Sequence, residues 1–131
     1  MNPHCILIIE PELPIRHPVA EYLRGCGYKV LEAVNTDEAM SLLSGSGVAI
    51  DVVLADVSSP GAVDGFGLIQ WIQANNFSTK VLLAGSIEKV AANAAKLCED
   101  GPKLTKPYHH QLLLDEIKKL LAAHQRANDP E

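Results

Sequence analysis

Apolar residues fall along the chain in short unbroken runs, separated by segments with helical spacing. The first run, Cys5-Ile6-Leu7-Ile8-Ile9, is rich in β-branched residues. Such a run reads as a strand buried on both faces, as in a parallel sheet, and predicts a strand over residues 4–9. Pro11 and Pro14 mark the following loop, and Pro14 suits the first turn of a helix that reaches about Arg24. Ile15, Val19, Leu23 and Tyr22 supply its apolar stripe. Pro18 is placed near the first turn, where a missing N–H costs least. Gly25-Cys26-Gly27 stops the helix. Tyr28 to Ala33 alternates and predicts a second strand. Asn35 with Glu38 has the spacing of a capping box, and the helix it opens carries Ala39, Met40, Leu42 and Leu43.

The central run, Val52-Val53-Leu54-Ala55, predicts a strand over residues 50–55 that ends on Asp56 and a Ser58-Ser59-Pro60-Gly61 turn. The next helix is expected to carry Phe66, Ile69 and Ile72 inward, with Leu68 and Trp71 on a flank. Residues 80–84 form a fourth strand, and Ser86 caps a helix through Ala95. Residues 103–105 form a fifth strand. A last helix over 109–126 places Leu113, Ile117, Leu120 and Leu121 on one face, and residues 127–131 are a frayed tail. Five strand–helix repeats predict a single α/β domain over residues 1–126, three-layered, with a parallel sheet covered on both sides.

Composition narrows the class without changing this picture. At 131 residues, 47% hydrophobic and 21% charged, the chain can bury a core of ordinary size. No apolar run is long enough to span a bilayer, and the N-terminus lacks the pattern of a signal peptide. The net charge of −5, with scattered basic residues, speaks against nucleic acid as a ligand. Cys5, Cys26 and Cys98 are odd in number and widely spaced, so neither a disulfide nor a zinc site is expected, and a reducing cytoplasm is the expected compartment.

In open α/β sheets, chemistry collects at the carboxyl ends of the strands. Three charged residues stand there: Glu10 after the first strand, Asp56 after the third and Lys106 after the fifth. Each also has an ordinary structural reading. Asp56 could cap its own turn, Glu10 could be a plain loop acid, Lys106 a solvated lysine and Ser86 an N-cap. His109-His110 is no metal pair, since adjacent helical residues do not face each other.

These pieces, taken in order, resemble the receiver domain of two-component response regulators. The resemblance rests on Ile6-Leu7-Ile8-Ile9-Glu10 with Arg16, on residues 28–33, on Asp51-Val52-Val53-Leu54-Ala55-Asp56, on residues 60–65 and on Lys106-Pro107-Tyr108. It implies a flavodoxin-like fold with strand order 2-1-3-4-5. It further implies Asp56 as the acceptor of a phosphoryl group from a histidine kinase or phosphotransfer protein. Glu10, Asp56 and the backbone carbonyl of Ser58 would be ligands to magnesium, and Lys106 would reach the phosphoryl oxygens. The domain would act as a stand-alone cytoplasmic signalling unit rather than an enzyme, a monomer or weak homodimer, and would contact an output protein but neither nucleic acid nor membrane.

Three positions depart from the family pattern. Pro11 stands where a second acid follows the first strand, with Glu12 one place further on. Gly85 stands where the fourth strand ends in a hydroxyl residue, leaving Ser86 as a displaced substitute. Lys103 replaces the usual aromatic residue three places before Lys106. These departures motivate an alternative, a pseudo-receiver that binds partners without phosphorylation. A flavodoxin-like enzyme or nucleotide binder has less support, because no phosphate-cradling glycine loop follows any strand.

Overall fold

Cys5–Ile9 forms β1, and all five of its residues are buried. The structure, a computed structural model, describes residues 5–45, 47, 49–75, 77–100 and 110–128, with only the backbone described for Asp100, His110 and 124–128. Around β1 the chain lays down α1 (Leu13–Gly25), β2 (Lys29–Ala33), α2 (Thr36–Gly45), β3 (Val52–Asp56), α3 (Gly65–Ala74), β4 (Lys80–Ala84), α4 (Ile87–Asp100) and α5 (His110–Asn128). The described strands are parallel and run in the order β2-β1-β3-β4. That is the expected order over four strands; the predicted fifth strand at residues 103–105 lies outside the described residues.

Alternation along the strands divides the core in two. Ile6, Ile8 and Leu54 face α1, α4 and α5, where they pack with Val19, Leu23, Ala91 and Ile117. Leu7, Ile9, Val53 and Ala55 face α2 and α3, against Ala39, Leu43, Leu68 and Ile72. Both faces of β1 and β3 are therefore covered, which is why their sequences run apolar without a break.

Several expectations need correction. Pro18 is the sixth residue of α1 and sits beyond the first turn. Its absent N–H falls opposite the carbonyl of Pro14, so the helix loses one hydrogen bond inside its length. In α3 the inward residues are Leu68 and Ile72, whereas Phe66 is 58% exposed. The cause lies at Gly65, packed so closely on the end of β3 that a Cβ there would sit 2.7 Å from the Asp56 carbonyl oxygen. That approach sets the helix rotation and turns Phe66 outward. Trp71, on the flank, stacks on Phe77 with ring centroids 5.5 Å apart. In α5, Leu113, Leu114 and Ile117 are buried while Leu120 is exposed.

The largest correction concerns the cysteines. Cys26, just past α1, and Cys98, in the last turn of α4, are joined by a disulfide across 72 residues of sequence, with Cα atoms 5.4 Å apart. Only Cys5 is a free thiol, and it is buried. Spacing alone cannot reveal such a pair, because the packing of α4 on α1 is what brings it together.

Candidate functional site

The register of the sheet builds the site. Ile9 pairs with Ala55 across β1 and β3, so the next residues, Glu10 and Asp56, fall side by side at the carboxyl edge. Neighbouring strands lie about 4.8 Å apart. By alternation both side chains turn to the face of Ile8 and Leu54, the face covered by α1 and α4. There they share one pocket with Arg16, walled by Ile15 and Val19 of α1 and by Val90 of α4.

Glu10 is 9% exposed. Its backbone N–H donates to the Ala33 carbonyl at 2.9 Å, and its carboxylate accepts the Glu12 N–H at 2.9 Å. Burial pushes the Glu10 carboxyl above its ordinary range; the negative charges of Asp56 and Glu12 push the same way, while the Glu12 N–H and Arg16 oppose them. Arg16 donates from Nη1 to the Glu10 carbonyl at 2.9 Å and from Nε to Glu32 Oε1 at 3.0 Å. Glu32 also accepts Arg24 Nη2 at 3.3 Å.

Asp56 is held by the turn after it. Its Oδ1 accepts the Ser58 N–H at 2.8 Å and the Ser58 hydroxyl at 2.7 Å. Its carbonyl accepts the Ser59 N–H at 3.1 Å and the Ser59 hydroxyl at 2.7 Å. Asp56 does cap its own turn, then, but with one carboxylate oxygen; Oδ2 takes no hydrogen bond among the described residues. The rest of the loop is fastened to α2. Buried Thr36 donates from Oγ1 to the Val63 carbonyl at 2.7 Å, and its N–H reaches the Pro60 carbonyl at 2.9 Å. Gly61 crosses Thr36 with φ 129°, a conformation that side chains rarely adopt.

The structure thus brings together Glu10, Asp56 and Ser58. Ser86 begins α4 as its cap, its hydroxyl accepting the Lys89 N–H at 3.1 Å. The residue paired with Asp56 across β3 and β4 is Ala84, which has no hydroxyl. Lys106 and Lys103 lie outside the described residues. Reading by motif passed over Ser59 and Thr36, which anchor the turn after Asp56. The signal for Ser59 was present, because a Ser-Ser pair directly after a strand-end aspartate is suited to side-chain-to-backbone turns. Thr36 carried no such sign, since its partners lie 24 and 27 residues away.

The donors at this edge are all oxygens, which suits a hard cation such as magnesium. Their number is small: among the described residues no three His, Cys, Asp or Glu side chains group as a metal site. Glu10, Asp56 and the Ser58 carbonyl could hold such a cation, with water completing its coordination.

A parallel sheet with helices on both faces defines a doubly wound α/β domain, and its paired acids stand at the carboxyl edge where such folds bind their ligands. The sequence matches the response regulator receiver domain family over residues 6–118, and the chain belongs to that family. It is 30% identical over 118 residues to a protein of Thermotoga maritima named cyclic di-GMP phosphodiesterase, a match that takes in 88% of this chain and 30% of that protein. In structure it is similar to a response regulator receiver domain protein from Clostridium thermocellum, with TM-score 0.58, 23% identity and coverage of 95% of this chain and 98% of that one. It is also similar to the chemotaxis response regulator CheY4 of Vibrio cholerae, with TM-score 0.55, 24% identity and coverage of 90% and 98%. The flavodoxin-like fold is thereby shown. Among the described residues no helix is long and apolar enough to cross a membrane.

Proposed function

We propose that the chain is the phosphoacceptor domain of a two-component phosphorelay and that Asp56 takes the phosphoryl group. The observation that carries this reading is the Asp56 carboxylate at the end of β3, pinned through Oδ1 by Ser58 and set beside Glu10 in one pocket. In the transfer, an Asp56 oxygen forms the new bond to phosphorus. The bond from phosphorus to the donor breaks, its electron pair leaves with the donor, and a histidine donor then takes up a proton. Fixing one carboxylate oxygen leaves the other to approach in line, so the turn supplies orientation. Glu10, Asp56 and the Ser58 carbonyl would hold magnesium, which supplies positive charge against the incoming phosphoryl group. Lys106 is proposed as a further positive charge and Ser86 as a displaced switch hydroxyl.

Histidine kinases or phosphotransfer proteins are the proposed donors, and the domain would signal by binding an output protein rather than by catalysis. With such donors the domain is proposed to work in the cytoplasm. There the Cys26–Cys98 bond would be sheltered by burial, its residues being 0% and 2% exposed.

Incubation with acetyl phosphate and magnesium tests the reading. Parent protein should gain one acid-labile phosphate, mapped by peptide mass to Asp56. Asp56→Asn should gain none, because an amide of nearly the same shape is a poor nucleophile. Undiminished incorporation in that variant would move the acceptor elsewhere.

A further inference from the structure

The pocket at the carboxyl edge contains a fixed positive charge that the phosphoacceptor reading does not use. Arg16 lines it together with Glu10 and Asp56. Its side chain is 14% exposed and is held at both ends of the guanidinium, through Nε to Glu32 and through Nη1 to the Glu10 carbonyl. Nη2 takes no partner among the described residues. A guanidinium keeps its charge at every accessible pH and presents its donors in a rigid plane. Its field already acts on Glu10, where it opposes the effect of burial. On the other side of Glu10 the chain offers Pro11, whose ring adds no charge and no donor oxygen.

We propose that Arg16 is the resident cation of this pocket: a positioning residue that holds the Glu10 backbone and offsets the negative charge of Glu10 and Asp56 without a metal ion. The proposal rests on Asp56 being the phosphoacceptor. It ties together Pro11, the two-carboxylate donor set and Arg16. A pocket short of one acid attracts a divalent ion weakly, and a guanidinium in its wall repels that ion while favouring the arrival of a dianionic phosphoryl group. The same charge therefore acts with opposite sign on the two ligands.

That opposition gives the test a readout which a purely structural role would not produce. Magnesium affinity is measured by isothermal titration on parent, Arg16→Gln and Arg16→Lys, alongside the rate of phosphate gain from acetyl phosphate at saturating magnesium. Removing a unit charge near a divalent ion should tighten magnesium in Arg16→Gln by about threefold to tenfold. Its phosphorylation at saturating metal should nevertheless slow by roughly tenfold, a typical loss for one charge-assisted contact. Arg16→Lys, which keeps the charge, should bind magnesium like the parent. If Arg16 only braced the loop, Arg16→Gln would bind magnesium more weakly and react more slowly together; that result overturns the proposal, as does tighter magnesium with an undiminished rate. Thermal melts check that each variant is folded. Should Arg16→Gln fail to fold, Glu32→Gln supplies the complementary arm. It leaves the guanidinium less compensated and should weaken magnesium, and unchanged affinity there refutes the charge argument. A parent protein that gains phosphate on a residue other than Asp56 defeats the phosphoacceptor reading itself and takes the proposal with it. Asp56 phosphorylation with parental magnesium affinity in Arg16→Gln defeats only the role of Arg16.

Discussion

At the residue scale, Glu10 carries the clearest electrostatic signature. Its carboxyl titrates above the ordinary range because it is buried, with Asp56 and Glu12 adding repulsion and the Glu12 N–H and Arg16 opposing. Between the unfolded and folded pKa, the folded chain binds more protons than the unfolded chain. Stability therefore falls as pH rises through that window and stays lower above it. Glu10→Gln removes this cost while its side-chain oxygen can still accept the Glu12 N–H. Urea unfolding at pH 7 should find the variant more stable than the parent, with the difference shrinking below about pH 4, under the ordinary glutamate pKa. A parent that is equally stable relative to the variant at both pH values would contradict the burial argument. The residues at this edge were legible in unequal measure. Glu10 and Asp56 announce themselves by ending apolar strands. Arg16 enters the sequence reading only as part of the family resemblance, with no role attached, and its meaning comes from the bonds to Glu10 and Glu32.

At the scale of elements, the strands were easier to read than the helix faces. β1 and β3 are covered on both sides, so a continuous apolar run is a sufficient sign. The rotation of α3 was hidden because a glycine sets it. Gly65 has no side chain to contribute to a periodic pattern, yet its contact with the Asp56 carbonyl oxygen decides which residues face inward. Gly65→Ala should lose about 1–3 kcal/mol of stability, as overpacked sites do. A Cβ there meets the Asp56 oxygen at 2.7 Å and Leu83 Cδ2 at 2.9 Å. Gly45→Ala is the internal control, because nothing lies within 4 Å of a Cβ at that helical position. It should be neutral or gain about 0.5–1 kcal/mol from the lower entropy of the unfolded chain. Denaturant melts of the two variants decide the matter, and equal effects would show that crowding at the β3–α3 junction is not what matters. The Asn35 and Glu38 spacing that marks the start of α2 was visible from sequence. The Asn35 side chain accepts the Glu38 N–H at 2.8 Å, and the Glu38 carboxylate accepts the N–H of Val34, one residue before the cap, at 3.1 Å.

At the scale of the whole molecule, the disulfide joins the layer of α1 to α4 and was out of reach of local sequence patterns. In the chain-entropy account, closing a loop of this length stabilises the fold by about 4 kcal/mol. Cys98→Ser should therefore lower the denaturation midpoint strongly. Unreduced protein in denaturant should titrate for one thiol, Cys5, and reduced protein for three. Three thiols without reductant would remove the bond from the account. The bond has a topological consequence: residues 26–98 become a closed ring that contains β2, α2, β3, α3 and β4 whole. A single tryptic nick at Lys29, Lys80, Lys89 or Lys96 opens the ring without dividing the molecule, so nicked protein migrates as one piece until thiol reductant is added. No Lys or Arg occurs between Lys29 and Lys80. Cleavage at both of those ends frees one long peptide bearing Asp56 and no cysteine, so the Asp56 peptide can be isolated from unreduced protein while the two cysteine peptides remain linked to each other.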